Sequence, residues 1–576
     1  MRVNSDNRES RVLLTLHHPS ESRRYYEQGH WRGESLYRLL EIHAQSRPDD
    51  VALRDAKRRL SWKALMAWVD RLGDQLAGLD LHRGERVAVW LPSRAESVVS
   101  LLACSRMGYV CCPSLHQNYT VREIITLLER SDARVLIAQK YYGADASRHD
   151  LGAAVSESNA SAKTALRKIL WVDESALTNP IDDRFCTLQD GYKSHREADF
   201  DPDKIVYLAF TSGTTGTPKG VMHSDNTLLA NGRSMVKDWS HDHQTVLLSL
   251  SPMSHHIGTV AIEQQMVAGM ELVLNDPRTE MHPVDWIEAC AATYVMGVPT
   301  HAIDVLAELN QRKLNKLGRV KLFYMAGSPI PPELAAQFLS MGITPQNIYG
   351  MTENGSHQYT LPSDDERTIV ETCGRSAAGF ACVIVDAEDG NRVMPTNQIG
   401  EIASKGALLM LGYFDQQRAT EKSFNREGWF LSGDLGTLDE RGCLRIVGRK
   451  KDLVIRGGHN IHPTGVEHIA LKHPNIVKAA AFGVADQRLG EKLCLAVIAR
   501  DQGKLEPLEV LGQLAKHGLS KFDMPEYFLQ LEQFPMTASG KILKRDLADQ
   551  VKNGKLTPIA VRFKSVSSDK TQTQGS

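Results

Sequence analysis

Between residues 35 and 141, apolar positions recurring at helical spacing alternate with short β-rich runs at 87–91 and 135–138, the pattern of β-α units that predicts a parallel sheet. The alternation resumes past residue 205. Runs at 245–249, 271–274, 294–296 and 321–325 read as buried strands, each ending near a polar or glycine-rich segment where an open α/β sheet gathers its ligands. Residues 98–113 are the most apolar long region, but Arg106 interrupts them and they are too short to cross a bilayer, so they predict buried core. Residues 143–168, rich in Ala, Ser, Asn and Asp, predict a surface excursion. Residues 1–32 read as a poorly specified lead-in whose aromatic segment, 25–31, packs rather than reacts.

The pattern changes at 448–452. Beyond it come a helix at 466–471, strands at 477–484 and 493–499 and a helix at 508–517, a compact α+β unit. The expected fold class is α/β: a large N-terminal domain of layered α/β subdomains (1–450), a small mobile α+β C-terminal domain (451–552) and a disordered tail (553–576). No period of 20–50 residues points to a solenoid.

Composition narrows the function classes. The 576 residues carry a formal net charge of −1, without the basic excess of a nucleic-acid binder. Nine cysteines without a Cys-x-x-Cys pair fit reduced thiols better than a disulfide frame or a zinc site. The polar, charged first residues lack the apolar core of a secretion signal, so a cytoplasmic protein without a transmembrane segment is expected, and a homodimer is kept open as its assembly.

Residues 207–221 read YLAFTSGTTGTPKGV, a strand-like run opening into a loop of glycines and hydroxyls. Glycines at 213, 216 and 220 let bare N–H groups converge on an anion; Thr211, Ser212, Thr214 and Thr215 add hydroxyl donors and Lys219 adds charge. The spacing is not that of a Walker loop, which needs four residues between its glycines and then Gly-Lys-Ser/Thr. The other reading, a flexible surface loop, fits poorly with an apolar strand that resumes at Val221. Residues 211–220 resemble the phosphate loop of the adenylate-forming superfamily, which includes acyl-CoA synthetases, aryl-acid AMP ligases, peptide-synthetase adenylation domains and firefly-type luciferases, and further motifs follow in that family's order.

The resemblance implies roles. Gly327, Ser328 and Pro329 match the adenine-side turn. In the motif at 349–353, Tyr349 is implied to lie against adenine, Gly350 and Met351 to belong with it to the nucleotide-binding set, Thr352 to meet phosphate and Glu353 to hold Mg²⁺. That ion suits a lone carboxylate because it keeps most of its waters. Asp434 matches the aspartate that accepts both ribose hydroxyls, with Ser432 where threonine is usual, and Arg449 matches the ribose-side arginine. Lys451 falls at the hinge between domains, and Gly458 where the pantetheine arm of coenzyme A passes, although the doubled Gly457–Gly458 is also a simple turn. Lys541 is implied to bridge the carboxylate and the α-phosphate as a catalytic lysine.

The segment 251–258 matches the wall of the acyl pocket, with His255 at the gate position and His256 one step nearer the acid. With Gly355 and the neighbouring motifs, it resembles ligases for cyclohexanecarboxylate and short- or medium-chain fatty acids more than aryl-acid ligases. His256 as plain wall packing remains the other reading. A zinc pair is disfavoured, since sequence neighbours point apart; His241 and His243 read as exposed loop residues. The implied activity joins a neutral-tailed monocarboxylic acid to CoA through an acyl-adenylate, with ATP, Mg²⁺ and coenzyme A. Loading of a carrier protein is the alternative acceptor chemistry, and a serine hydrolase is disfavoured for want of Gly-x-Ser-x-Gly.

Overall fold

The structure is a computed structural model that describes residues 19–172, 185–211, 218–276, 281–327, 330–500, 503–536 and 542–563. Among the described residues the chain forms four sheets. In the seven-stranded one the order is Gly412–Tyr413, Lys219–Ser224, Ile205–Thr211, Val110–Cys112, Arg86–Trp90, Ala133–Gln139 and Lys168–Val172. Its last five strands are parallel, and the first two run antiparallel to their neighbours. The nine-stranded sheet has a parallel centre from Val51–Arg54 to Thr344–Met351, extended by the antiparallel hairpin partner Gly355–Tyr359.

Pleat alternation explains why these strands read as continuous apolar runs. Val87 and Val89 face one core while Ala88 and Trp90 face another; Leu247 and Leu272 face that same first core while Leu248 and Val273 turn away from it. The shared core also holds side chains of the helices Trp62–Ala77, Ala95–Met107, Asp225–Asp238 and His256–Ala268, which form the layer between the sheets. Helices Val121–Ser131 and Leu151–Ala160 cover the outer face of one sheet; Pro283–Ala289, Pro299–Gln311 and Pro332–Ser340 cover the other. Ala95–Met107 is buried at every position through Arg106, whose guanidinium meets Asp70 at 2.9 Å. The apolar region from residue 98 onward is therefore interior, its one charge paired.

Two expectations are corrected. Residues 143–168 are not a simple surface excursion: Asp150 caps the helix Leu151–Ala160 by accepting from the Ala153 N–H at 2.7 Å. Leu151 and Val155, one turn apart, are buried, and two apolar side chains at i,i+4 suffice to anchor a helix otherwise polar. The tail is ordered through residue 563. Ile559–Ala560 pairs antiparallel with the strand Tyr527–Gln530, and Val561 and Phe563 pack on the core beneath, because that edge offers unpaired backbone to whatever chain follows. In the lead-in, Tyr25 and Trp31 are buried and 5.1 Å apart, in a packing role.

A four-stranded antiparallel sheet, Phe380–Val385, Gly400–Gly406, Phe430–Leu438 and Leu444–Arg449, comes next in the chain. Residues 454 onward form the fourth sheet over two cores of their own, a small C-terminal α+β domain beside the large N-terminal one. Among the described residues no helix is long and apolar enough to cross a membrane.

Candidate active site

The hairpin Thr344–Met351 and Gly355–Tyr359 is the point to which three clusters of side chains attach. Its turn is dictated by glycine: a Cβ on Gly350 would stand 1.9 Å from the Gly355 carbonyl oxygen, and Gly355 itself has φ +61°. Asn354 closes the turn, accepting from the Met351 N–H at 3.0 Å and donating to Ser404 at 3.1 Å.

The first cluster joins the hairpin to the four-stranded sheet. The Tyr349 hydroxyl donates to Asp434 Oδ2 at 3.0 Å, and Arg449 Nε lies 3.2 Å from Oδ1, since Asp434 and Arg449 are register partners on adjacent strands. Burial and the Asp434 charge push the Tyr349 phenol up, so it stays a donor. Ser432 keeps the hydroxyl of the usual threonine and accepts from the Asp434 N–H at 3.1 Å. Glu401, buried behind this turn, accepts from the Gly433 N–H at 2.9 Å and from Lys450 at 3.0 Å, tying the turn to the 3₁₀ segment Lys450–Asp452. Lys451 sits in that segment, its pKa lowered by burial and then by Arg449.

The second cluster gathers around Tyr413. Its hydroxyl donates to Glu353 Oε1 at 3.0 Å and its ring lies under Lys219 Nζ at 4.5 Å. Strand pairing builds the arrangement: Tyr413 is opposite Val221, and Lys219 is opposite Thr211. These paired strands flank residues 212–217, so Ser212, Gly213, Thr214 and Thr215 lie outside the described residues, as do Ser328, Pro329 and Lys541. Gly327 ends the turn after Leu322–Met325 at φ +93°.

The third cluster is aromatic. His256 opens the helix His256–Ala268, its Nδ1 3.2 Å from the Tyr207 hydroxyl and its ring stacked on His223 at 5.6 Å. His223 in turn reaches the Thr352 carbonyl at 2.7 Å and Thr227 at 3.0 Å. Loss of water around the ring, then His223 and His255, hold the His256 pKa well below the usual histidine range. His255 turns the other way, toward His116 at 5.7 Å, so the adjacent histidines do not converge. Among the described residues no three His, Cys, Asp or Glu side chains gather as a metal site. His241 corrects the sequence reading: its ring stacks on Tyr294 at 4.4 Å and burial pushes its pKa down to about 4, while His243 is exposed as expected.

One predicted residue stands apart. Gly458 has φ +88° in the turn between Val454–Arg456 and His459–Ile461, and a Cβ there would meet nothing within 4 Å. Sequence reasoning missed Tyr413, which no motif connects to Glu353, and assigned no role to Tyr207, Asn231 or His223. It also passed over Glu263, seven residues beyond His256 in an apolar run, a spacing that returns to the same helix face.

Layered α/β sheets in a large N-terminal domain followed by a small C-terminal one are the architecture of adenylate-forming enzymes. The chain belongs to the AMP-binding enzyme family: that family's profile matches residues 40–414, and the profile of the AMP-binding enzyme C-terminal domain matches 465–541. It is 30% identical over 93% of its length to the medium-chain fatty-acid–CoA ligase of Escherichia coli (strain K12), covering 94% of that protein. It is 29% identical to the 2-hydroxy-7-methoxy-5-methyl-1-naphthoate–CoA ligase of Streptomyces carzinostaticus, over 91% of this chain and 94% of the other. Among solved structures, the o-succinylbenzoate CoA synthetase of Bacillus subtilis in complex with its acyl-adenylate intermediate superposes with a TM-score of 0.74 at 25% identity, covering 88% of this chain and 97% of that one.

Proposed function

We propose that the protein joins a neutral-tailed monocarboxylic acid, short- to medium-chain, alicyclic or aryl, to coenzyme A in two steps. A carboxylate oxygen attacks the α-phosphorus of ATP and pyrophosphate leaves; the thiol sulfur of CoA then attacks the acyl carbon and AMP leaves. The two relatives named above are carboxylate–CoA ligases, and the o-succinylbenzoate CoA synthetase was solved with its acyl-adenylate intermediate, which supports ATP-dependent ligation through an acyl-adenylate. The observation that carries the reading is the hub hairpin, which ties the Tyr349–Asp434–Arg449 cluster, the Lys219–Tyr413–Glu353 cluster and the His256–His223 cluster to one turn.

In this reading Asp434 and Arg449 hold the ribose, Tyr349 and residues Gly327, Ser328 and Pro329 border the adenine, and Thr211–Thr215 with Lys219 and Thr352 cradle the phosphates. Mg²⁺, when bound, neutralises triphosphate charge. A half-buried carboxylate that shares Tyr413 with Lys219, the Tyr413 hydroxyl orienting one of its oxygens, fits such an ion, and Glu353 would hold it. Gly355, His255 and His256 line the acid's end. The segments 254–258, 298–303, 324–329 and 349–355 contain no Lys or Arg, so a second charge on the acid would be buried unpaired, at several kcal/mol. We place the domain boundary at 450/451, with Lys451 as the hinge that alternately presents Lys541 and Gly458. The nine free thiols support a cytoplasmic location; light scattering tests a homodimer.

A screen of carboxylic acids for AMP release, with CoA or a carrier protein as acceptor, tests the activity. Lys541→Ala lowers adenylation by roughly 10²-fold or more, the scale for one preorganised charge donor, while thioester formation from supplied acyl-adenylate survives. Equal loss of both half-reactions refutes the role of Lys541.

A further inference from the structure

Behind the acyl-side cluster lies a carboxyl that no step above uses. Glu263 is 1% exposed, two turns along the helix from His256 and on the same face. Asn231 Nδ2 donates to its Oε2 at 2.7 Å. The orientation of that amide is set independently, because Asn231 Oδ1 accepts from the Ser356 N–H at 2.9 Å, next to Gly355 of the hub turn. Oε1 is buried without a hydrogen-bond partner. Glu263 also lies close enough to Tyr207 and Tyr324 to act on both phenols electrostatically, and the Tyr324 hydroxyl is engaged by Ser356 at 2.9 Å. Glu263 is thus tied through Asn231 to the backbone beside Gly355 and stands near Tyr324 and the Tyr207 that contacts His256, residues in or next to the segments that we place at the acid's end of the site.

Burial pushes the Glu263 pKa up to about 8, so at neutral pH the group is an uncharged carboxylic acid. With Oε2 taken as acceptor by Asn231, the hydroxyl is Oε1–H, a buried donor in want of an acceptor. An orphaned buried donor costs about 1–3 kcal/mol, and a purely hydrocarbon tail would leave it orphaned in the complex as well. An apolar side chain would serve such a tail better.

We propose that Glu263 is a specificity-determining residue whose Oε1 hydroxyl donates to an uncharged oxygen, a hydroxyl or keto group, on the tail of the acid. The inference rests on the acid-activating reading above and narrows it: the substrate is a neutral but oxygen-bearing acid. The seven-residue separation of His256 and Glu263, about 10 Å along the helix, places that oxygen toward the far end of the tail from the carboxylate.

The test uses the full chain with ATP, Mg²⁺ and CoA on matched acids: cyclohexanecarboxylate against its 4-hydroxy and 4-oxo derivatives, and octanoate against 8-hydroxyoctanoate. Wild type is expected to show kcat/KM roughly tenfold or more higher for an oxygenated member of at least one pair. Glu263→Leu is expected to bring that ratio to about one or below, and Glu263→Gln, whose amide still donates, to an intermediate value. Wild type that prefers the plain acid in both pairs, or Glu263→Leu that keeps the preference, overturns the proposal. If the leucine variant does not fold, the wild-type ratios and the glutamine variant still decide. Turnover without oxygen discrimination refutes this inference alone; no AMP release from any acid with any acceptor refutes the underlying reading.

Discussion

The side of the site that we assign to the nucleotide and the side that we assign to the acyl tail solve the same problem, holding polar groups in a folded interior, in opposite ways. On the nucleotide side every carboxylate meets a donor: Asp434 has Tyr349 and Arg449, and Glu401 has Gly433 and Lys450. Arg449 and Lys450 stay close to half exposed, so these charges are paired without being fully stripped of water. On the acyl side the groups lose water and lose charge instead. Glu263 is protonated, His256 is neutral, and His116, 3.0 Å from Ser254, is pushed by burial down to about 4. A fixed ligand such as a nucleotide can be met by preformed ion pairs, whereas an acyl tail must be met by neutral groups, because a buried charge left unpaired costs far more than a hydrogen bond returns.

The change with the largest expected effect abolishes the comparison by striking what both sides share. Gly350→Ala drives a methyl into the Gly355 carbonyl, a backbone contact that cannot yield without opening the hairpin. We expect a loss above about 4 kcal/mol, or failure to fold, measured by denaturant unfolding, with adenylation lost in parallel. Near-normal stability would mean that the turn is not the hub.

The next sharpens the acyl side through pH. The folded Glu263 pKa is raised, so above about pH 4.5 the unfolded chain ionises this group while the folded chain does not, and stability falls until pH passes about 8. Glu263→Gln removes that decline, worth on the order of a few kcal/mol across the window. Unfolding midpoints of both proteins at pH 5 and 8.5 report it, and parallel curves would mean that Glu263 is ionised in the fold.

The smallest belongs to the nucleotide side. Asp434→Asn keeps the shape but not the charge that Tyr349 and Arg449 address, and it should raise the KM for ATP about 10- to 100-fold while changing the ranking of acids little. A reordered acid ranking would show that the two sides are not separable.

The sequence by itself determined the strand-and-helix alternation, because buried strands at a pleat period of two and helices at 3.6 leave their mark residue by residue. Gly327 and the stretch 349–355 were reached through resemblance to a family's motifs, while the turn that Gly350 and Gly355 make possible became visible only in the structure. The sequence led to Tyr349, Asp434 and Arg449 through motif order alone, but not to their mutual contacts. Tertiary structure decided whatever depends on partners distant in the chain. Tyr413 meets Glu353 across sixty residues, strand pairing at 527–530 recruits a polar tail, and the His241 ring loses water where Tyr294 stacks on it from the strand Tyr294–Gly297. Glu263 marks the boundary: its spacing from His256 was legible, but its protonation was not, since desolvation is set by every element packed around a side chain and by none of its neighbours in sequence alone.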